Sequence, residues 1–160
     1  MNIFLKWLLI VFIFVIQISC TKKEKITILE NKDLKSQMIE LYEEGYNAFL
    51  ERDTLFAAQK FNEAELIFPQ SEWAPIAALM TAYVYYSDDY YSDATYHLER
   101  YLKVYPNHKD KDYAHYLLGM CYYENIIDEG RDLNPLLKAK KEFEILIKDY
   151  PNTEFAIDAN

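Results

Sequence analysis

Apolar residues follow two different patterns along the chain. The first is a continuous run from Trp7 to Ile16, preceded by the single cation Lys6 and followed soon after by polar "TKKEK". Ten apolar residues are too few to span a bilayer comfortably and suit the core of an export signal. The second pattern is periodic. Ala57, Phe61 and Ala64 stand 12, 8 and 5 residues before Pro69. Ala94, Leu98 and Tyr101 stand at the same distances before Pro106, and Ala139, Phe143 and Leu146 before Pro151. Such spacing puts each trio on one helical face, and the proline then ends the helix.

A second helix is predicted ahead of each of these. Gly45, Ala82 and Gly119 are small residues that allow close approach of two helices, and Gly45 and Ala82 both lie 12 residues before their repeat's first alanine. Gly119 lies 20 before Ala139, and those 8 extra residues account for the difference between the 37- and 45-residue proline spacings. They fall near "IIDEGRDLN", where Gly130 and Pro135 predict a longer loop. Each unit is therefore a helix–turn–helix. With "LLGMCYY" supplying Leu-Gly-x-x-Tyr and each unit supplying Ala…Phe/Leu…Pro, it resembles the tetratricopeptide repeat of about 34 residues.

The expected fold is an all-α tetratricopeptide-like solenoid of two and a half to three repeats. Residues 1–19 read as a signal, 20–36 as a linker, and 37–160 as the repeat domain. The repeats fall at about 37–70, 71–107 and 108–152, with the start of a fourth at 153–160. Thr153 with Glu154 behind it reads as a helix opening, and Phe155, Ala156 and Ala159 begin its apolar face. A repeat array needs a cap, and two turns cover little, so the sequence is expected to be C-terminally truncated relative to a longer product.

Composition narrows the choices. Apolar residues make up 51% and only 3 residues are Gly, which favours an ordered helical protein over a disordered one. A net charge of −9 argues against a nucleic-acid partner and against docking on anionic lipid by charge alone. The segment ending in Ser19-Cys20 resembles a bacterial lipoprotein signal, in which cleavage leaves Cys20 as the lipid-bearing first residue. An ordinary secretory signal or an N-terminal anchor helix are the alternatives, and each also places the rest of the chain outside the cytoplasm. With Cys20 acylated, Cys121 has no disulfide partner and reads as a small buried residue.

No catalytic constellation stands out. His115 and Cys121 are six apart rather than three or four, and no metal-ligand spacing, Gly-rich phosphate loop or activated serine is visible. Asp88-Asp89 and Asp110/Asp112 read as solvated turn residues. The expectation is a non-enzyme that needs no metal and no cofactor beyond a covalent lipid on Cys20. Its candidate site is the face lined by the first helices of the repeats. Positions three before, one after and four after each small residue are Tyr42, Tyr46 and Phe49, then Leu79, Tyr83 and Tyr86, then Tyr116, Met120 and Tyr123. Seven of these nine are aromatic against 16% for the chain, which suits a groove for an extended peptide with aromatic side chains. Burial of these tyrosines against the next unit is the competing reading.

Longer stretches carry a more specific likeness. "HLERYLKVYPNHKDKDYAHYLLGMCYY" and "RDLNPLLKAKKEFEILIKDYPNTEFAIDAN" resemble the BamD family of tetratricopeptide lipoproteins from the bacterial β-barrel assembly machinery. The resemblance implies lipid anchorage at the periplasmic face of the outer membrane. It also implies partnership with a BamA-like barrel protein and other assembly subunits, and receipt of unfolded outer-membrane proteins. The repeats present here are those the resemblance associates with substrate recognition. The alternatives are a periplasmic tetratricopeptide scaffold acting with peptidoglycan or cell-division proteins, and an enzyme subunit whose site lies beyond residue 160.

Overall fold

The structure is a computed structural model that describes residues 23–126 and 132–160. The signal segment 1–19, the acylation candidate Cys20 and the Gly130 loop lie outside the described residues. The chain divides into two units, Met1–Lys35 and Ser36–Asn160, and the second carries the repeats.

Seven α-helices run in chain order among the described residues. They are α1 Lys23–Leu50, α2 Thr54–Ile67, α3 Ala74–Ser87, α4 Tyr91–Val104, α5 Lys111–Glu124, α6 Asn134–Asp149 and α7 Glu154–Asp158. Successive helices pack on one another from α2 through α7, and the first helices of neighbouring repeats also touch, α3 against α5 and α5 against α7. This is an all-α, tetratricopeptide-like solenoid. The stretch read as a linker is helical from Lys23, because it is rich in Lys, Glu and Leu and contains neither Gly nor Pro to stop the helix.

The repeat register explains the core. Ala57, Phe61, Ala64, Ala94, Leu98, Tyr101, Ala139 and Leu146 are all buried, and Phe143 is half-buried. The turns inside the first two repeats share one geometry. Arg52 and Asp89, each five residues before the repeat's first alanine, both take the left-handed conformation, at φ 62° and 64°. Asp53 then caps α2 by accepting the Phe56 N–H at 3.2 Å. Thr153 caps α7 in the same way, accepting the Ala156 N–H at 3.3 Å.

The small residues mark where helices touch. A Cβ added at Gly119 would lie 2.5 Å from the Phe143 ring, while one at Gly45 would lie 3.2 Å from Phe61 and Lys60. Gly119→Ala should therefore destabilise by about 1–2 kcal/mol. The overpacking penalty of about 1–3 kcal/mol exceeds the gain in helix propensity of about 1 kcal/mol. Gly45→Ala should come out near neutral by the same balance. Urea unfolding of the two variants checks this, and equal losses would mean that close approach is not what Gly119 provides.

Polar ties link adjacent repeats. Glu65 of α2 is 2% exposed, yet it takes a two-pronged contact from Arg100 of α4, with both N···O distances 2.8 Å. The Tyr105 hydroxyl adds a third bond at 2.7 Å. Thr54 donates to Asp88 at 2.9 Å, and the Tyr122 hydroxyl donates to Glu99 at 2.5 Å. Within the third repeat His115 and Glu142 meet at 2.7 Å. Cys121 is fully buried, and burial pushes its thiol up to about 12.

Candidate peptide-binding groove

The first helices put an aromatic ladder on one face of the repeat unit. Its floor is α3, "APIAALMTAYVYYS", which contains no charged residue. A cleft of about 480 Å³ opens there, with Ile76, Leu79, Met80 and Tyr83 on one side and Tyr113 and Phe155 on the other. Lys109, Asp110 and Asp112 form its rim. Phe49 of α1 lies 5.8 Å from Tyr83, ring centre to ring centre. Phe155 of α7 lies 5.0 Å from Tyr113 and 5.4 Å from Tyr116. Rings from all four first helices thus follow one another across the face.

The sequence-based candidates divide among three settings. Phe49, Leu79, Tyr83 and Tyr116 belong to the ladder or the cleft wall. Tyr42 instead turns its ring toward the partner helix, 4.9 Å from Phe61 and edge-on to it. Tyr42 and Tyr46 share a separate shallow depression with Glu43 and Asn47. Tyr86 packs beside Tyr91 at 5.9 Å and sits partly against the core. Tyr123 and Tyr46 are the most open, at 56% and 47% exposed, and Met120 is half-buried.

Ile76, Met80, Tyr113 and Phe155 line the cleft but were not among those candidates. A signal for two of them was present. Ile76 and Tyr113 stand six residues before Ala82 and Gly119, one further turn along the same helical face.

Electrostatics make this face hydroxyl-rich and neutral at its centre. Burial, ahead of the neighbouring tyrosines, pushes the Tyr113 phenol up to about 12. The hydrogen bond to Asp158, at 2.5 Å, is the main cause that raises Tyr116 to about 12. Both hydroxyls therefore stay protonated; Tyr116 donates its proton to Asp158, which leaves the Tyr113 hydroxyl to donate to a carbonyl. Among the described residues no group of three His, Cys, Asp or Glu is placed to hold a metal ion. No described helix is long and apolar enough to cross a membrane.

Comparison with known proteins fits this architecture. The model of the YfiO family, described as an outer membrane lipoprotein, matches residues 34–160. The chain belongs to this family. The chain is 37% identical over 103 residues to the outer membrane protein assembly factor BamD of Caulobacter vibrioides, which covers 64% of this chain and 34% of that protein. It is 30% identical over 131 residues to BamD of Rickettsia prowazekii, covering 82% of this chain and 52% of that protein. BamD of Vibrio cholerae is 26% identical over 130 residues, covering 75% and 54% respectively. The chain thus spans between a third and about half the length of these BamD relatives. Residues 34–160 take in α1 from Leu34 onward and every later helix, so the YfiO match and the groove occupy the same part of the chain.

Proposed function

We propose that this chain is a non-catalytic component of outer-membrane β-barrel assembly. It binds unfolded outer-membrane proteins on its first-helix face and assists their delivery to a BamA-like barrel protein and its fellow subunits. A lipid on Cys20 holds it at the periplasmic face of the outer membrane, and it needs no other cofactor. The observation that carries this reading is the ladder Phe49, Tyr83, Tyr113, Phe155 and Tyr116 around an apolar cleft. Tyrosine gives broad apolar contact with a hydroxyl for peptide groups, and it loses little rotamer freedom on binding. An unfolded barrel strand alternates apolar and polar residues, with aromatics at the membrane interfaces, and so presents rings at a spacing such a face can meet.

Tyr83→Ala should weaken binding of an extended aromatic peptide by about tenfold, the cost of one ring contact and its hydroxyl. Tyr123→Ala should act in the same direction with a smaller effect, since its ring is the most open. Fluorescence anisotropy gives the affinities, and circular dichroism confirms that helicity is retained. Unchanged affinity in both variants would remove the groove.

A further inference from the structure

The charges around the cleft are not balanced, and the imbalance specifies the occupant. Three lysines near it are engaged, while Arg52, which lies beside Phe49, makes no ion pair among the described residues. Lys109 pairs with Asp110 at 3.4 Å, and Lys111 donates to the Pro106 carbonyl at 3.1 Å. On the α1 side Lys60 is held by Glu44 at 2.8 Å and by Glu63 at 3.4 Å. Asp112 on the cleft rim and Glu43 beside Tyr46 make no ion pair among the described residues. Glu124 closes the far end of α5 and is exposed. Its field reaches the Tyr86 and Tyr91 hydroxyls, and both phenols are raised, with Glu124 a contributor after burial in one case and the Asp89 hydrogen bond in the other. The cleft is thus an uncharged aromatic floor whose rim carries two carboxylates, Asp110 and Asp112, and one lysine, Lys109.

We propose that this face selects extended segments in which aromatic side chains are interleaved with Lys or Arg, and discriminates against acidic segments. The inference rests on the groove reading above and names the class of segment the groove takes. An aromatic side chain enters between Met80, Tyr83, Tyr113 and Phe155. A Lys or Arg next to it in sequence leaves from the opposite side of the extended chain, and its long flexible stem lets the charge fold back to Asp112 on the rim. Longer cationic side chains can also lie over the faces of exposed tyrosines. A Glu at the same place would meet more carboxylate than cation, since Lys109 is already paired with Asp110, and a desolvated carboxylate without a partner is disfavoured.

The test uses the full chain and three synthetic peptides that share aromatic residues at alternate positions. The intervening residues are Lys in one, Gln in the second and Glu in the third. The expected order of affinity is Lys, Gln, Glu, with about tenfold between the ends in low salt, narrowing as salt shortens the screening length. Asp112→Asn should reduce that ratio by weakening the Lys peptide more than the Gln peptide. Tyr83→Ala should weaken all three. Equal binding of the three peptides would overturn the charge selection and leave the groove standing. Lys-peptide binding that survives Tyr83→Ala undiminished would also overturn it, since general attraction to an acidic protein would then suffice. Failure of every peptide to bind would remove the groove reading itself, and this inference with it.

Discussion

Phe61→Ala is expected to lower the unfolding free energy by roughly 3–5 kcal/mol, the range for deleting a large buried ring. Phe61 is wholly buried on α2, where it fills the space beside Gly45, Ala48 and the Tyr42 ring on α1 and meets Val84 of α3. One residue thus joins both helices of the first repeat to the second. Neighbours fixed on three helices cannot all collapse into the void. Because a solenoid is held by nearest-neighbour interfaces, the first repeat should loosen before the others and the urea m-value should fall as well. Urea unfolding followed by circular dichroism measures both. A loss below about 1 kcal/mol, with an unchanged m-value, would mean that Phe61 is not the wedge described.

The second large effect concerns charge. Arg100→Leu should cost about 3 kcal/mol, because it leaves the Glu65 carboxylate buried with only the Tyr105 hydroxyl to hold it. The value is at the low end for a broken buried pair because the Arg100 side chain is 29% exposed and water reaches part of it. Replacing both partners, Glu65→Leu with Arg100→Leu, should recover most of the loss, since no buried charge is then left unpaired. A double-mutant cycle in urea unfolding reads this coupling. Additive losses from Arg100→Leu and Glu65→Leu would contradict it.

These two sites show what the sequence made legible and what it hid. Phe61 could be found without coordinates, because it shares a fixed distance from a proline with Leu98 and Phe143, and that repetition marks a buried face. The small residues Gly45, Ala82 and Gly119 were legible for the same reason. The Glu65–Arg100 pair carried no such mark. Its members sit 35 residues apart on different repeats, and nothing in a Glu or an Arg distinguishes a buried partner from a solvated one. The α1 extension was hidden because linker composition and helix composition overlap when Lys and Glu dominate.

The groove lies between these cases. Counting from each small residue placed Tyr83, Phe49 and Tyr116 on the common face, since a helix fixes which side chains share a side. It could not place Tyr42, whose ring turns toward Phe61, because the width of a helix–helix wedge depends on the residues across it. Phe155 was read as part of an opening helix face. Its role as a wall of the cleft became visible only with α7 lying beside α5.

The most direct test of the account is where unfolded barrel proteins touch this chain in the cell. A photo-crosslinking residue would replace Met80, on the cleft floor, and separately Tyr96, which is 65% exposed on a second helix. Captured polypeptides would be identified by mass after denaturing purification of the full-length protein. The account predicts outer-membrane β-barrel proteins crosslinked from position 80 and far fewer from position 96. Capture of peptidoglycan-binding or division proteins from position 80, or equal capture of barrel proteins from both positions, would contradict it.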